Sequence, residues 1–154
     1  MRADRTSGAA NARAIGVDLG SRRIGVAASD LGGMLASPRT TLERSGDQAT
    51  DHRRIAALVA EEEAVTVVVG LPRSLDGSIG PAAKAVLAEV EALAAVIGVP
   101  VVTHDERLTT VTAHEQLRAA GMGGRRRRSV VDQQAATVLL QDWLDAQRPG
   151  EPTT

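Results

Sequence analysis

Five residues, Val65-Thr66-Val67-Val68-Val69, constrain the fold more than any other segment. The run is short, wholly β-branched and without polar alternation. Such side chains fit a pleated strand, and a strand with no polar side is buried on both faces by helices. Helical patterns flank it. Gln48 to Glu63 carries Ile55, Leu58, Val59 and Glu62 at helical spacing. Pro81 to Ile97 is a second helical segment, with Pro81 suited to its first turn and Gly98 to its close.

Upstream, the pattern is that of a meander. Ala14 to Asp18 (AIGVD) reads as a strand, Gly20-Ser21 as a turn, and Arg23 to Ser29 (RIGVAAS) as the returning strand of a hairpin. Met34 to Leu42 is a third strand, which Pro38 assigns to an edge or an interruption. Downstream, Val99 to His104 is a strand, Thr109 to Ala120 a helix stopped by Gly121, and Val130 to Ala146 the last helix. The order β-β-β-α-β-α-β-α-α predicts an α/β fold. Its mixed sheet has a three-strand antiparallel meander plus two parallel strands, flanked by helices. Residues 14–146 are expected to form this one domain, with residues 1–13 and 147–154 as flexible ends.

Composition narrows the interior and the chemistry. Of the 154 residues, 43% are hydrophobic, yet there is no Phe or Tyr and one Trp, so the core is aliphatic. The absence of Cys excludes disulfides, Cys-ligated zinc and thiolate nucleophiles. No stretch is long and apolar enough to span a bilayer, and the N-terminus has no apolar leader, so a soluble cytoplasmic protein is expected. The formal net charge of −1 gives no global basic field.

In helix-covered sheets ligands collect at the carboxyl ends of the strands, near the switch point. Asp18 ends the first strand, and Asp105 and Glu106 end the last. These acids meet if strands one, four and five are neighbours. Asp18, in GVDLGSRRIGVA, is either a metal ligand or a cap for the following turn. Around Glu106, in THDERLTT, strand alternation puts Val102, His104 and Glu106 on one face and Val101, Thr103 and Asp105 on the other. Either acid could reach a site, or pair with Arg107 at the surface. Asp132, in RRRRSVVDQQAATVLL, fits a capping box opened by Ser129. It also shares a helical face with Ala135, Ala136, Leu139 and Trp143, where a packed carboxylate needs a cation or hydrogen-bond donors.

Three separated acids suit a hard divalent ion, Mg²⁺ or Mn²⁺. His52, His104 and His114 lack zinc-ligand spacing and are expected to be surface or partly buried residues rather than ligands. Arg125 to Arg128, after Gly121, Gly123 and Gly124, read as a flexible basic loop beside Asp132, for phosphate or merely for solvent. Gly70 to Gly80, with Arg73, Ser74 and Asp76, is a second candidate phosphate loop or an ordinary connection; it lacks the P-loop ending.

Four motifs occur in order: DLGSRRIGVAASD from Asp18, VVVGLPRSLDGS from Val67, DERLTT from Asp105 and VDQQAATVLL from Val131. Together they resemble the YqgF (RuvX) family, described as nucleases of precursor 16S ribosomal RNA and earlier as Holliday junction resolvases. The resemblance spans about Ile15 to Leu144. It implies an RNase H-like fold and selects Asp18, Glu106 and Asp132 as catalytic, metal-holding acids. Gln133 and Gln134 follow the last acid, where RuvC-type resolvases carry a fourth ligand position. Arg23, Arg73, Arg107 and Arg125, Arg126, Arg127 and Arg128 are expected to hold the nucleic-acid backbone of precursor ribosomal RNA or branched DNA, in a monomer or homodimer. Two other readings stay open. DLGS with a following hairpin also occurs in the phosphate loop of actin-type and sugar-kinase ATP-binding proteins, and the fold could serve a noncatalytic RNA-binding protein.

Overall fold

The computed structural model describes residues 11–72, 78–105 and 124–147, with side chains in the last segment from Val131 onward. The elements are β1 (Ala14–Leu19), β2 (Arg23–Ser29), β3 (Ala36–Glu43), α1 (Gln48–Glu62), β4 (Thr66–Leu71), α2 (Pro81–Ala94), β5 (Val101–Asp105) and α3 (Gly124–Gln147). The sheet order is β3-β2-β1-β4-β5. β1 pairs antiparallel with β2, and β2 with β3; β4 runs parallel to β1 and β5 parallel to β4. The first, fourth and fifth strands are therefore neighbours, the condition for gathering the acids at one end.

Local chemistry sets the turns. At the first hairpin the Gly20 N–H donates to the Arg23 carbonyl at 3.0 Å. A Cβ at position 20 would stand 2.6 Å from that oxygen, so only glycine fits. At the second, the Asp30 carboxylate accepts the N–H groups of Met34 at 2.7 Å and Leu35 at 3.1 Å. Those two donors hold its pKa below the usual 3.8. Along β3 the register slips where Pro38 pairs with Ala27 and Thr40 with Val26. Proline has no N–H for the ladder, and Arg39 falls between the paired positions. Its guanidinium bonds Glu62 at 2.7 Å and Glu61 at 2.9 Å on α1. Within the expected lead-in, the Asn11 side chain donates to the Glu63 carbonyl at 2.8 Å, and the Ala12 N–H to the Leu31 carbonyl at 2.9 Å.

The two sides of the sheet differ. Ile15, Val17, Ile24, Val26, Val67 and Val69 pack against Ile55 of α1 and Leu93 of α2. On the other side Ala14, Ala27, Ala36 and Val68 meet Ala136, Leu139, Leu140 and Leu144 of α3. Among the described residues no helix is long and apolar enough to cross a membrane.

Beyond shifts of one or two residues at strand ends, three sequence expectations about the helices and the histidines change. α3 begins at Gly124 rather than Val130, so the Arg125 to Arg128 backbone is helical, not a flexible loop. Arginine is a good helix former, and nothing from Arg125 to Ser129 breaks a helix. α2 ends at Ala94, before Ile97. Its last turn tightens as the N–H of Ala95 reaches back to Ala92 and that of Val96 to Leu93. Finally, His52 is fully buried, at 2% exposure, rather than at the surface or partly buried. The expected helix from Thr109 to Ala120 lies outside the described residues.

Candidate functional site

Asp18 pairs in register with Gly25 across the first hairpin. Directly opposed residues of an antiparallel pair project to the same face. A Cβ on Gly25 would collide with the carbonyl of Asp132, so the backbone of α3 rests on Gly25 at that residue. Two residues before Asp18, Gly16 leaves the same clearance. A Cβ there would lie 2.8 Å from Leu140 Cβ and 2.9 Å from the Ala136 carbonyl. Two glycines thus seat α3 on the strands, with the backbone of Asp132 against Gly25, the strand partner of the half-buried Asp18. α3 starts at Gly124, so Asp132 lies more than two turns inside the helix. That position excludes the capping-box role.

Arg23, the first residue of β2, reaches the same place. Its Nε donates to Asp132 Oδ2 at 2.7 Å, and the two side chains are 21% and 18% exposed. The arginine expected to hold substrate backbone is thus bound to a candidate metal ligand.

β5 shows which strand parity faces the site. Val102 packs with the α3-side cluster, and His104 Nε2 lies 2.7 Å from Asp142 Oδ2 of α3. Asp105 aligns with Leu71 of β4, which belongs to the core under α1 and α2. Aligned strand neighbours share a face, so Asp105 belongs to the side opposite Asp18. Glu106 follows immediately but lies outside the described residues, as do Arg73 and Arg107 and the side chains of Arg125 to Arg128. Among the described residues no three acids or histidines gather closely enough to hold a metal ion. Of the three expected acids the structure describes Asp18 and Asp132, both next to Gly25: Asp18 as its strand partner and Asp132 through its backbone. Their donor atoms are carboxylate oxygens, which suit hard divalent cations.

A charged cluster behind the hairpin was missed by sequence reasoning. Arg44, just past β3, donates from Nε to the Gly20 carbonyl at 2.9 Å, and its own N–H bonds the Arg22 carbonyl at 2.9 Å. Its terminal nitrogens fork onto Glu89 of α2 at 2.7 and 3.0 Å. Glu89 also meets His52 Nε2 of α1 at 2.8 Å. Burial pushes the Glu89 pKa up, but Arg44 and His52 outweigh it, and the carboxyl ends below its usual 4.5. This cluster clamps the turn joining Asp18 to Arg23 from the opposite side of the sheet. One signal was available: Glu89 lies on the helical stripe of Val86 and Leu93, where an acid needs a buried partner.

Residues 12–146 match the family model described as "RuvX: Holliday junction resolvase". A Mycobacterium sp. (strain KMS) protein named "Putative pre-16S rRNA nuclease" is 50% identical over 145 residues, 90% of this chain and 86% of that one. A Leifsonia xyli subsp. xyli protein of the same name is 48% identical over 143 residues, 90% and 92% of the two chains. Among solved structures, T. thermophilus RuvC in complex with a Holliday junction substrate superposes with a TM-score of 0.55 at 17% identity. It covers 88% of this chain and 95% of that one. The shared architecture is the RNase H-like mixed sheet flanked by helices.

Proposed function

Because the chain belongs to the RuvX family, we propose that it is a metal-dependent nuclease that hydrolyses phosphodiesters of precursor 16S ribosomal RNA. The observation that supports this reading is the seat of the Asp132 backbone on Gly25, the strand partner of Asp18, which brings two acidic residues from distant segments to one end of the sheet. Asp18 and Asp132, with Glu106 as the third acid, would hold Mg²⁺ or Mn²⁺. Bound there, a divalent ion would supply Lewis-acid stabilisation of charge developing on phosphodiester oxygens. Arg23, Arg73, Arg107 and Arg125 to Arg128 would contact phosphates and set the register of the nucleic acid. RNA is preferred over branched DNA because relatives at about half identity carry the ribosomal RNA name.

The test is cleavage of precursor 16S ribosomal RNA and a four-way DNA junction side by side, with Mg²⁺ or Mn²⁺, by wild type and Asp18→Asn. The RNA should be cut, and the variant should lose at least ~100-fold in rate while keeping its fold. Cleavage of the junction alone would move the substrate to DNA. Equal activity in the two proteins would remove Asp18 from the site.

A further inference from the structure

Arg23 occupies ground that a metal-binding carboxylate cannot share without cost. Its Nε–Oδ2 contact of 2.7 Å with Asp132 is a charge-assisted hydrogen bond between two side chains only about one-fifth exposed. A divalent cation on the same carboxylate would face the guanidinium at close range, and like charges that near repel strongly where solvent is thinned. The guanidinium and the cation therefore compete for this carboxylate, most directly at Oδ2.

The geometry favours movement of the side chain alone. Arg23 is registered against Glu43 within the sheet, so its Cα is fixed. The turn before it is held through Gly20 and Arg22 by Arg44, itself locked to Glu89. The long arginine stem lets the head group swing several ångströms from a fixed anchor. Its planar fork matches two phosphate oxygens as well as it matches a carboxylate.

We propose that Arg23 is the counter-ion of the metal-free site: it neutralises Asp132 until a divalent cation displaces it, and the released guanidinium then binds a backbone phosphate. Metal loading and substrate capture become coupled through one side chain. The inference rests on the reading of Asp18 and Asp132 as a metal site.

Calorimetric titration of the full chain with Mn²⁺, without nucleic acid, tests the first half. Arg23→Gln should bind Mn²⁺ about fivefold tighter than wild type, because the competing cation is gone. Arg23→Lys keeps a charge and should stay near wild type. A merely structural arginine would give equal or weaker binding on removal. For the second half, affinity for a cleavage-resistant phosphorothioate RNA is measured against salt. Adding Mn²⁺ should steepen the log-log slope by roughly 0.7 in wild type, one phosphate contact on a single strand. In Arg23→Gln it should not. If wild type binds no Mn²⁺, the metal-site reading and this inference both fall. If wild type binds and Arg23→Gln binds no tighter, the counter-ion role alone falls. Tighter binding without the slope change would overturn the phosphate half.

Discussion

The two faces of the sheet are built on opposite rules. Toward α1 and α2 each strand presents large aliphatic side chains, with Ile15, Val17, Ile24 and Val26 fully buried. Toward α3 the residues between them are Gly16, Asp18, Gly25 and Ala27, and the helix comes down until its backbone touches the strands. The first face gains stability from apolar area removed from water. The second gives up that area for proximity, and proximity lets a helix deliver a carboxylate to a strand end. Stability and placement are thus divided between the faces of one sheet.

The largest effect is expected from bulk added where the helix rests. Gly25→Val should cost about 3 kcal/mol or more in denaturant unfolding, since the Asp132 backbone has nowhere to go. Mn²⁺ binding should fall with it. A loss below about 1 kcal/mol would mean that α3 does not sit on Gly25.

A comparable loss is expected on the other face from the buried Glu89 that Arg44 and His52 share. Glu89 is 9% exposed, and Glu89→Gln strips Arg44 and His52 of their shared anion, at a cost of about 3 kcal/mol. Nearby, burial pushes the Asp51 carboxyl up, but bonds from Ser45 and the charges of Arg44 and Arg54 outweigh it and leave it below 3.8. Glu89 likewise lies below 4.5. Both folded values are depressed, so their contribution is complete above those ordinary values and is lost as pH falls through the folded ones. Melting temperature should therefore drop on acidification below about pH 4.5 in wild type, and less steeply in Glu89→Gln. Identical acid profiles would assign the acid loss to other carboxylates.

The smallest effect sharpens the division of labour. Ile15→Val removes one methylene from the apolar face and should cost about 1 kcal/mol in unfolding. Mn²⁺ affinity should be unchanged by calorimetry. A shift in metal affinity would show that packing on one face reaches the acids on the other.

Much of this arrangement was legible in the chain. The Gly20-Ser21 turn, the return of Arg23 to Ser29 and the edge role of Pro38 all rest on local chemistry, and each is where that chemistry puts it. Parity along Val101 to Asp105 was legible too, because strand alternation needs only one packed residue to orient it. The start of α3 was not: three glycines ahead of four arginines look like a loop, while arginine propensity and the packed stretch from Val131 onward favour a longer helix. Long-range partners were also hidden. Arg44 and Glu89 are 45 residues apart, and Arg23 and Asp132 are 109 apart. No periodicity within one element can report which charge on another will meet it.

The slip beside Pro38 has a consequence for how these molecules tolerate one another. An open sheet ends in a bare row of amide and carbonyl groups, which any passing extended chain can copy as a template. Here one outer margin is β3. Pro38 removes a donor from its backbone, and the slipped register breaks the even spacing that a foreign strand would have to match. Arg39 adds a guanidinium at the break, engaged with α1. A stray polypeptide therefore finds no uninterrupted ladder to join along that margin, so it offers poor seed for sheet-on-sheet growth in a crowded solution.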